Sequence, residues 1–113
     1  MRQIIFYKHH FREFYDQQEE KVQEKIDFVL DLIANVERVP DKFLKHLSGT
    51  DGLYEVRVKS GSNIFRIFCF FDEGKLVVLL HGFNKKTDKI PARELERASK
   101  LKKEYFADQA KRK

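Results

Sequence analysis

An α+β domain in the order β-α-α-β-β-β-α, with helices packed on a small antiparallel sheet, is what this chain predicts. Three observations carry the prediction. Residues 53–87 hold three runs of strand character separated by two tight turns. Residues 10–36 space their apolar side chains at intervals of three and four. Pro91 then stands where a proline suits the first turn of a further helix. No internal repeat, low-complexity segment or linker divides the 113 residues, so residues 1–113 are expected to form a single domain. Its last four residues, 110–113, are expected to fray.

The elements follow in chain order. Residues 4–8, Ile4-Ile5-Phe6-Tyr7-Lys8, read as a short strand. From His10 onward Phe11, Phe14 and Tyr15 make one apolar stripe, and Val22, Ile26, Val29, Ile33 and Val36 make another. Neither Gly nor Pro separates them, so one long helix and two helices with a corner at residues 16–20 are both open. Pro40 disfavours helix in the residue before it and ends this region. Residues 42–47 suit one further helical turn, and Ser48-Gly49-Thr50-Asp51-Gly52 a loop.

In the next strand Tyr54, Val56 and Val58 alternate with Glu55, Arg57 and Lys59. Ser60-Gly61-Ser62-Asn63 is turn chemistry, and residues 64–71 are aromatic and β-branched. Asp72-Glu73-Gly74 suits a hairpin loop with Gly in the left-handed position. Residues 75–83 are a near-continuous apolar run of strand length. Leu95, Ala98, Leu101 or Lys102, and Tyr105 give the last helix a thin apolar stripe, with Arg93, Arg97, Lys100, Lys102 and Lys103 on its other faces. That helix is expected to flank the end of the sheet.

Composition narrows the function. With 42% apolar residues and eleven Phe the chain is globular. A net charge of +5 and a pI near 9.3 suit a polyanionic partner. The single cysteine, Cys69, lies in an apolar strand run, which implies a buried, inert thiol and a reducing compartment. The opening residues are too short for a signal peptide. No run approaches the roughly 18 apolar residues of a membrane span. A cytoplasmic protein with no membrane partner is expected.

Several chemistries fall away. His9 and His10 are adjacent and point apart, and Cys69 is solitary, so neither metal nor cofactor is expected. Phosphate-loop, nucleotide-fingerprint and nucleophile-elbow motifs are absent. What remains is cationic: Arg57, Lys59, Arg66, Lys85 and Lys86, with His81 near. With Gly61-Ser62 at the turn, Arg57 faces Arg66 across the first hairpin. Like charges in that position cost several tenths of a kcal/mol, roughly, unless an anion lies over them. Arg66 is therefore either the partner of an internal carboxylate, Glu55 or Glu13, or a phosphate ligand.

His81 depends on the second hairpin. A three-residue loop at residues 72–74 puts it opposite Phe65, away from Arg66. A two-residue turn puts it opposite Arg66, where it suits a general acid or base. Tyr54 and Phe83 are either base-stacking aromatics or core.

The run GTDGLYEVRVKSGSNIFRIFCFFDEGKLVVLLHGFNKKTDKIPARELERA resembles the RelE/ParE toxin superfamily, and within it the HigB-like, phage-derived branch. The combination that carries the resemblance is LYE-x-R-x-K, then FRIF, then GF-x-KKT, then the proline-started helix. The resemblance implies a toxin of a type II toxin–antitoxin system, an endoribonuclease (mRNA interferase) that cleaves mRNA in the ribosome and causes growth arrest. It implies metal-independent chemistry, in which a ribose 2′-hydroxyl attacks phosphorus and the 5′-oxygen leaves. The implied partners are mRNA, the ribosome and a helix-turn-helix antitoxin, with operator DNA reached through that antitoxin. Arg57, Lys59 and Arg66 match the family's basic positions, with Arg66 on the scissile phosphate. Lys86 falls where an arginine is often found, beside His81 and Lys85. Tyr105 lies too far inside the last helix to match the C-terminal tyrosine of some members. Other members of the same fold, of the ParE type, poison DNA gyrase and are not nucleases.

Overall fold

The computed structural model describes residues 1–85 and 89–112. Its elements are β1 (Gln3–Phe6), α1 (His10–Asp16), α2 (Glu20–Asn35), β2 (Leu44–His46), β3 (Tyr54–Ser60), β4 (Asn63–Asp72), β5 (Leu76–Lys85) and α3 (Ala92–Lys111). The five strands form one sheet in the order β1-β5-β4-β3-β2. The expected α+β architecture is present, with two refinements. Residues 44–46 form a short edge strand on β3 where a helical turn was expected. Three residues are too few for a periodicity to show. The first strand pairs with β5 in parallel, Ile4 beside Val77 and Ile5 beside Val78, so the sheet is antiparallel in all but one ladder.

Two helices form where one long helix was possible. Gln17 and Gln18 donate backbone N–H groups to the carbonyls of Phe14 and Tyr15. The side-chain amides of Gln18 and Gln23 donate to the same two carbonyls, at 2.9 and 2.8 Å. The polar run thus satisfies the end of α1 from within and frees α2 to start in a new direction. At the other end of α2, Arg2 donates to the carbonyls of Ile33, Val36 and Glu37. It caps that helix from outside and places a cation at the negative end of its dipole.

Both faces of the sheet are covered. The α1–α2 face buries Val56, Val58, Phe65, Ile67, Cys69, Val77 and Leu79 against Phe11, Phe14, Val22, Ile26 and Ile33. The opposite face buries Phe68, Phe70, Val78 and Leu80 under Ala98, Leu101 and Tyr105 of α3. The last helix therefore lies across the second face and does not merely flank its end. Double coverage explains why the middle of β4 is buried on every residue. Cys69 sits fully inside, and burial pushes its thiol pKa up, consistent with an inert side chain. The far end of α3 is pinned by Tyr105 Oη donating to Asp72 at 2.8 Å and by Tyr7 Oη donating to Asp108.

Candidate functional site

Alternation along β3 does the sorting. Val56 and Val58 turn to the α1–α2 core, which sends Glu55, Arg57 and Lys59 to the α3 face. The first hairpin turns at Gly61-Ser62, with Gly61 at φ +60 and Ser60 facing Asn63. That register sets Arg57 directly opposite Arg66. Two guanidinium groups thus stand side by side on one face, two positions from Lys59.

Glu55 makes this tolerable. Its Oε1 accepts from Arg57 Nε and from Arg66 Nη1, each at 2.6 Å. Of the two internal carboxylates considered for Arg66, Glu55 is the partner; Glu13 lies near His9 on α1 instead. The two arginines differ in access. The side chain of Arg66 is 7% exposed and that of Arg57 30%, while Glu55 is sealed. Lys59 is exposed and makes no ion pair among the described residues. Three cations therefore stand against one shared carboxylate, and the face keeps a positive excess. Two polar atoms inside the cluster, Glu55 Oε2 and Arg66 Nε, are buried without a hydrogen-bond partner among the described residues.

Beside Arg57 an open cleft of about 410 Å³ runs between β2–β3 and the start of α3, lined by Lys45, Leu47, Ser48, Ile90 and Leu95 among others. Lys45 lies across from Glu55 and adds a fourth cation to the edge of this face. It was not singled out from the sequence because β2 was not: three residues, of which only Leu44 is buried, carry no readable alternation.

His81 follows neither expected register. The hairpin loop is Glu73-Gly74-Lys75, with Asp72 facing Leu76 and both Glu73 and Gly74 at positive φ. Farther along, β4 pairs Ile67 with Gly82 and Cys69 with Leu79. Phe68 alone therefore opposes both Leu80 and His81, a β-bulge on β5. The bulge turns His81 onto the arginine face but seals it there at 1% exposure. Its ring packs in a triangle with Phe68 and Phe83, with centroids at 5.3 and 6.3 Å. Its Nε2 is 3.5 Å from Glu94 Oε1, a distance of approach without hydrogen-bond alignment. Burial first, then Arg97 and His10, lower its pKa to about 4. It is a neutral, packed ring at pH 7, out of reach of solvent.

The other expected residues divide. Phe83 stands directly opposite Arg66 on the cationic face, part-buried. Tyr54 lies on the opposite side of the sheet, packed edge-on against His46 and Phe71, and is not brought to the cluster. Lys85 pairs through its backbone with Ile64; its side chain and Lys86 lie outside the described residues. Among the described residues no helix is long and apolar enough to cross a membrane.

A mixed sheet of this order with two helices on one face and a C-terminal helix on the other is the fold of RelE. A chain of the RelB–RelE antitoxin–toxin complex from Methanococcus jannaschii superposes with a TM-score of 0.54 at 18% identity, covering 77% of this chain and 99% of that one. A chain of the archaeal RelE–RelB complex from Pyrococcus horikoshii OT3 gives 0.50 at 18% identity, covering 72% and 91%. No curated protein matches the sequence. The model of the family described as "Phage derived protein Gp49-like (DUF891)" matches residues 13–103, and the chain belongs to that family.

Proposed function

We propose that this protein is the toxin of a toxin–antitoxin pair and a metal-independent endoribonuclease that cuts mRNA on the ribosome. The observation that carries the reading is the facing pair Arg57–Arg66, held by one carboxylate on a face that also presents Lys59. Such a face has a place for an anion. A phosphodiester bound there gains negative charge as the 2′-hydroxyl oxygen attacks phosphorus and the 5′-oxygen departs with the bonding electrons. The fragments left carry a 2′,3′-cyclic phosphate and a 5′-hydroxyl. Preoriented cations stabilise that developing charge most strongly where water is partly excluded. Arg57 and Lys59, the accessible members, are read as the phosphate ligands. Arg66, behind them, is read as the source of field. The buried, neutral His81 is read as packing, which leaves proton transfer to other groups. Both solved relatives are complexes with RelB, which supports a protein antitoxin as this chain's partner.

Arg66→Ala is a poor probe of this reading, because it strips a buried carboxylate of one partner and costs up to about 3–5 kcal/mol of stability. Arg57→Ala and Lys59→Ala are better. Programmed ribosomes carrying a defined mRNA are incubated with each protein, and cuts are mapped by primer extension. Discrete cuts from the wild type, weakened at least roughly tenfold in each variant, are expected from the loss of one charge-stabilising donor. Undiminished cutting by the Arg57→Ala/Lys59→Ala double variant would overturn the assignment. A second reading, a non-nuclease that binds gyrase or only its antitoxin, draws on the near-complete burial of Arg66 against Glu55. It predicts DNA damage, or no damage, with transcripts intact.

A further inference from the structure

We infer that Glu55 is a positioning residue of this site, a clamp that aims Arg57 at the substrate phosphate; the inference rests on the ribonuclease reading. The bond from Arg57 is made through Nε, the side edge of the guanidinium. Both Nη groups remain without a protein partner among the described residues, and the side chain lines the open cleft. A guanidinium gripped by one edge is a fork held at a fixed angle. Its remaining donors match two phosphate oxygens, the bidentate geometry that distinguishes Arg from Lys.

The same Oε1 that grips Arg57 also grips Arg66. One carboxylate therefore fixes the spacing of the facing pair and cancels part of their repulsion. Glu55 is well suited to hold still. It is fully buried on an inner strand and is paired through its backbone on both sides, with Lys45 and Phe68. It also lines the floor of the cleft, but with its side chain 1% exposed it acts through the two arginines it holds.

The clamp predicts a split between binding and chemistry. Glu55→Gln is nearly isosteric and removes one negative charge from a cationic face. It is expected to bind a 2′-deoxy-substituted RNA oligonucleotide as tightly as the wild type or more tightly, while ribosome-dependent cleavage falls about 100-fold, the scale of a small misplacement of a reacting group. Arg57→Lys keeps the charge but has no Nε edge to grip. It is expected to lose cleavage on the same scale, and, being partly exposed, it remains informative if Glu55→Gln fails to fold. The double variant is expected to be no worse than either single one, because both remove one coupling.

Cleavage by Arg57→Lys at the wild-type rate overturns the clamp. So does an additive double variant, or binding and cleavage in Glu55→Gln that fall together with the folded fraction measured by circular dichroism. If the wild type itself makes no cuts, the ribonuclease reading fails separately. The clamp is then decided by oligonucleotide affinity alone: Glu55→Gln is expected to alter affinity in the wild type and not in the Arg57→Lys background, and an equal change in both, or none in either, rejects it.

Discussion

One carboxylate shared by two guanidiniums gives single side chains unusual leverage over this protein. The same holds for His81, which carries no charge where charge would be costly. Its folded pKa of about 4 lies below the ordinary value of 6.5. Between those values the unfolded chain binds more protons than the folded one, so stability is full above about pH 6.5 and declines as pH falls toward 4. The total approaches about 3 kcal/mol for a shift of this size. Among the described residues, Glu94, Arg97 and His10 are the charged or titratable groups around the ring. Urea denaturation across this range should show the decline in the wild type and a flatter profile in His81→Leu. Identical slopes in the two proteins would remove His81 as the cause.

At the scale of elements, the β5 bulge and the seat of α1 meet at one residue. Gly82 follows the bulge and turns to the α1 face, where an added Cβ would lie 2.5 Å from Cδ2 of Phe14. Gly82→Ala therefore pushes α1 off the sheet and is expected to cost about 1–3 kcal/mol, the range for overpacking. A smaller residue at Phe14 should recover part of the loss in the Gly82→Ala background, measured by thermal melting. Equal stability of Gly82→Ala and wild type would show that α1 is not seated on this glycine.

Much of this level was legible in the sequence. Alternation in residues 54–59 and the Gly61-Ser62 turn were enough to place Arg57 opposite Arg66, because a two-residue turn leaves one register. The second hairpin was not legible. A loop offset by one residue and a bulge at Leu80–His81 both change which face a side chain takes, and neither has a local signature in an apolar run. The parallel pairing of β1 and the coverage of the second face by α3 are long-range choices that a periodicity does not encode.

The whole molecule carries a net charge of +5, and part of that excess is concentrated on one face. RNA binding should therefore be steeply salt-dependent. With Arg57, Lys59 and Lys45 each neutralising one phosphate, the logarithm of affinity for single-stranded RNA should fall against the logarithm of salt with a slope of about −2. Lys59→Ala should lessen that slope by about 0.7. Fluorescence anisotropy over a salt series reads both; a slope unmoved by Lys59→Ala would place the RNA elsewhere.

The parallel ladder has a consequence in time. Gln3 cannot meet Leu76, nor Phe6 meet Leu79, until most of the chain has been synthesised, and contacts of such separation form slowly. The hairpin bearing the two arginines is local and is available earlier. Its covering helix α3 is made after all five strands. The chain is therefore translated through a stage in which its cationic hairpin exists without the roof and edge strand that complete the domain. The sheet therefore closes later than its cationic hairpin can form, and whatever recognises the finished sheet must wait for that closure.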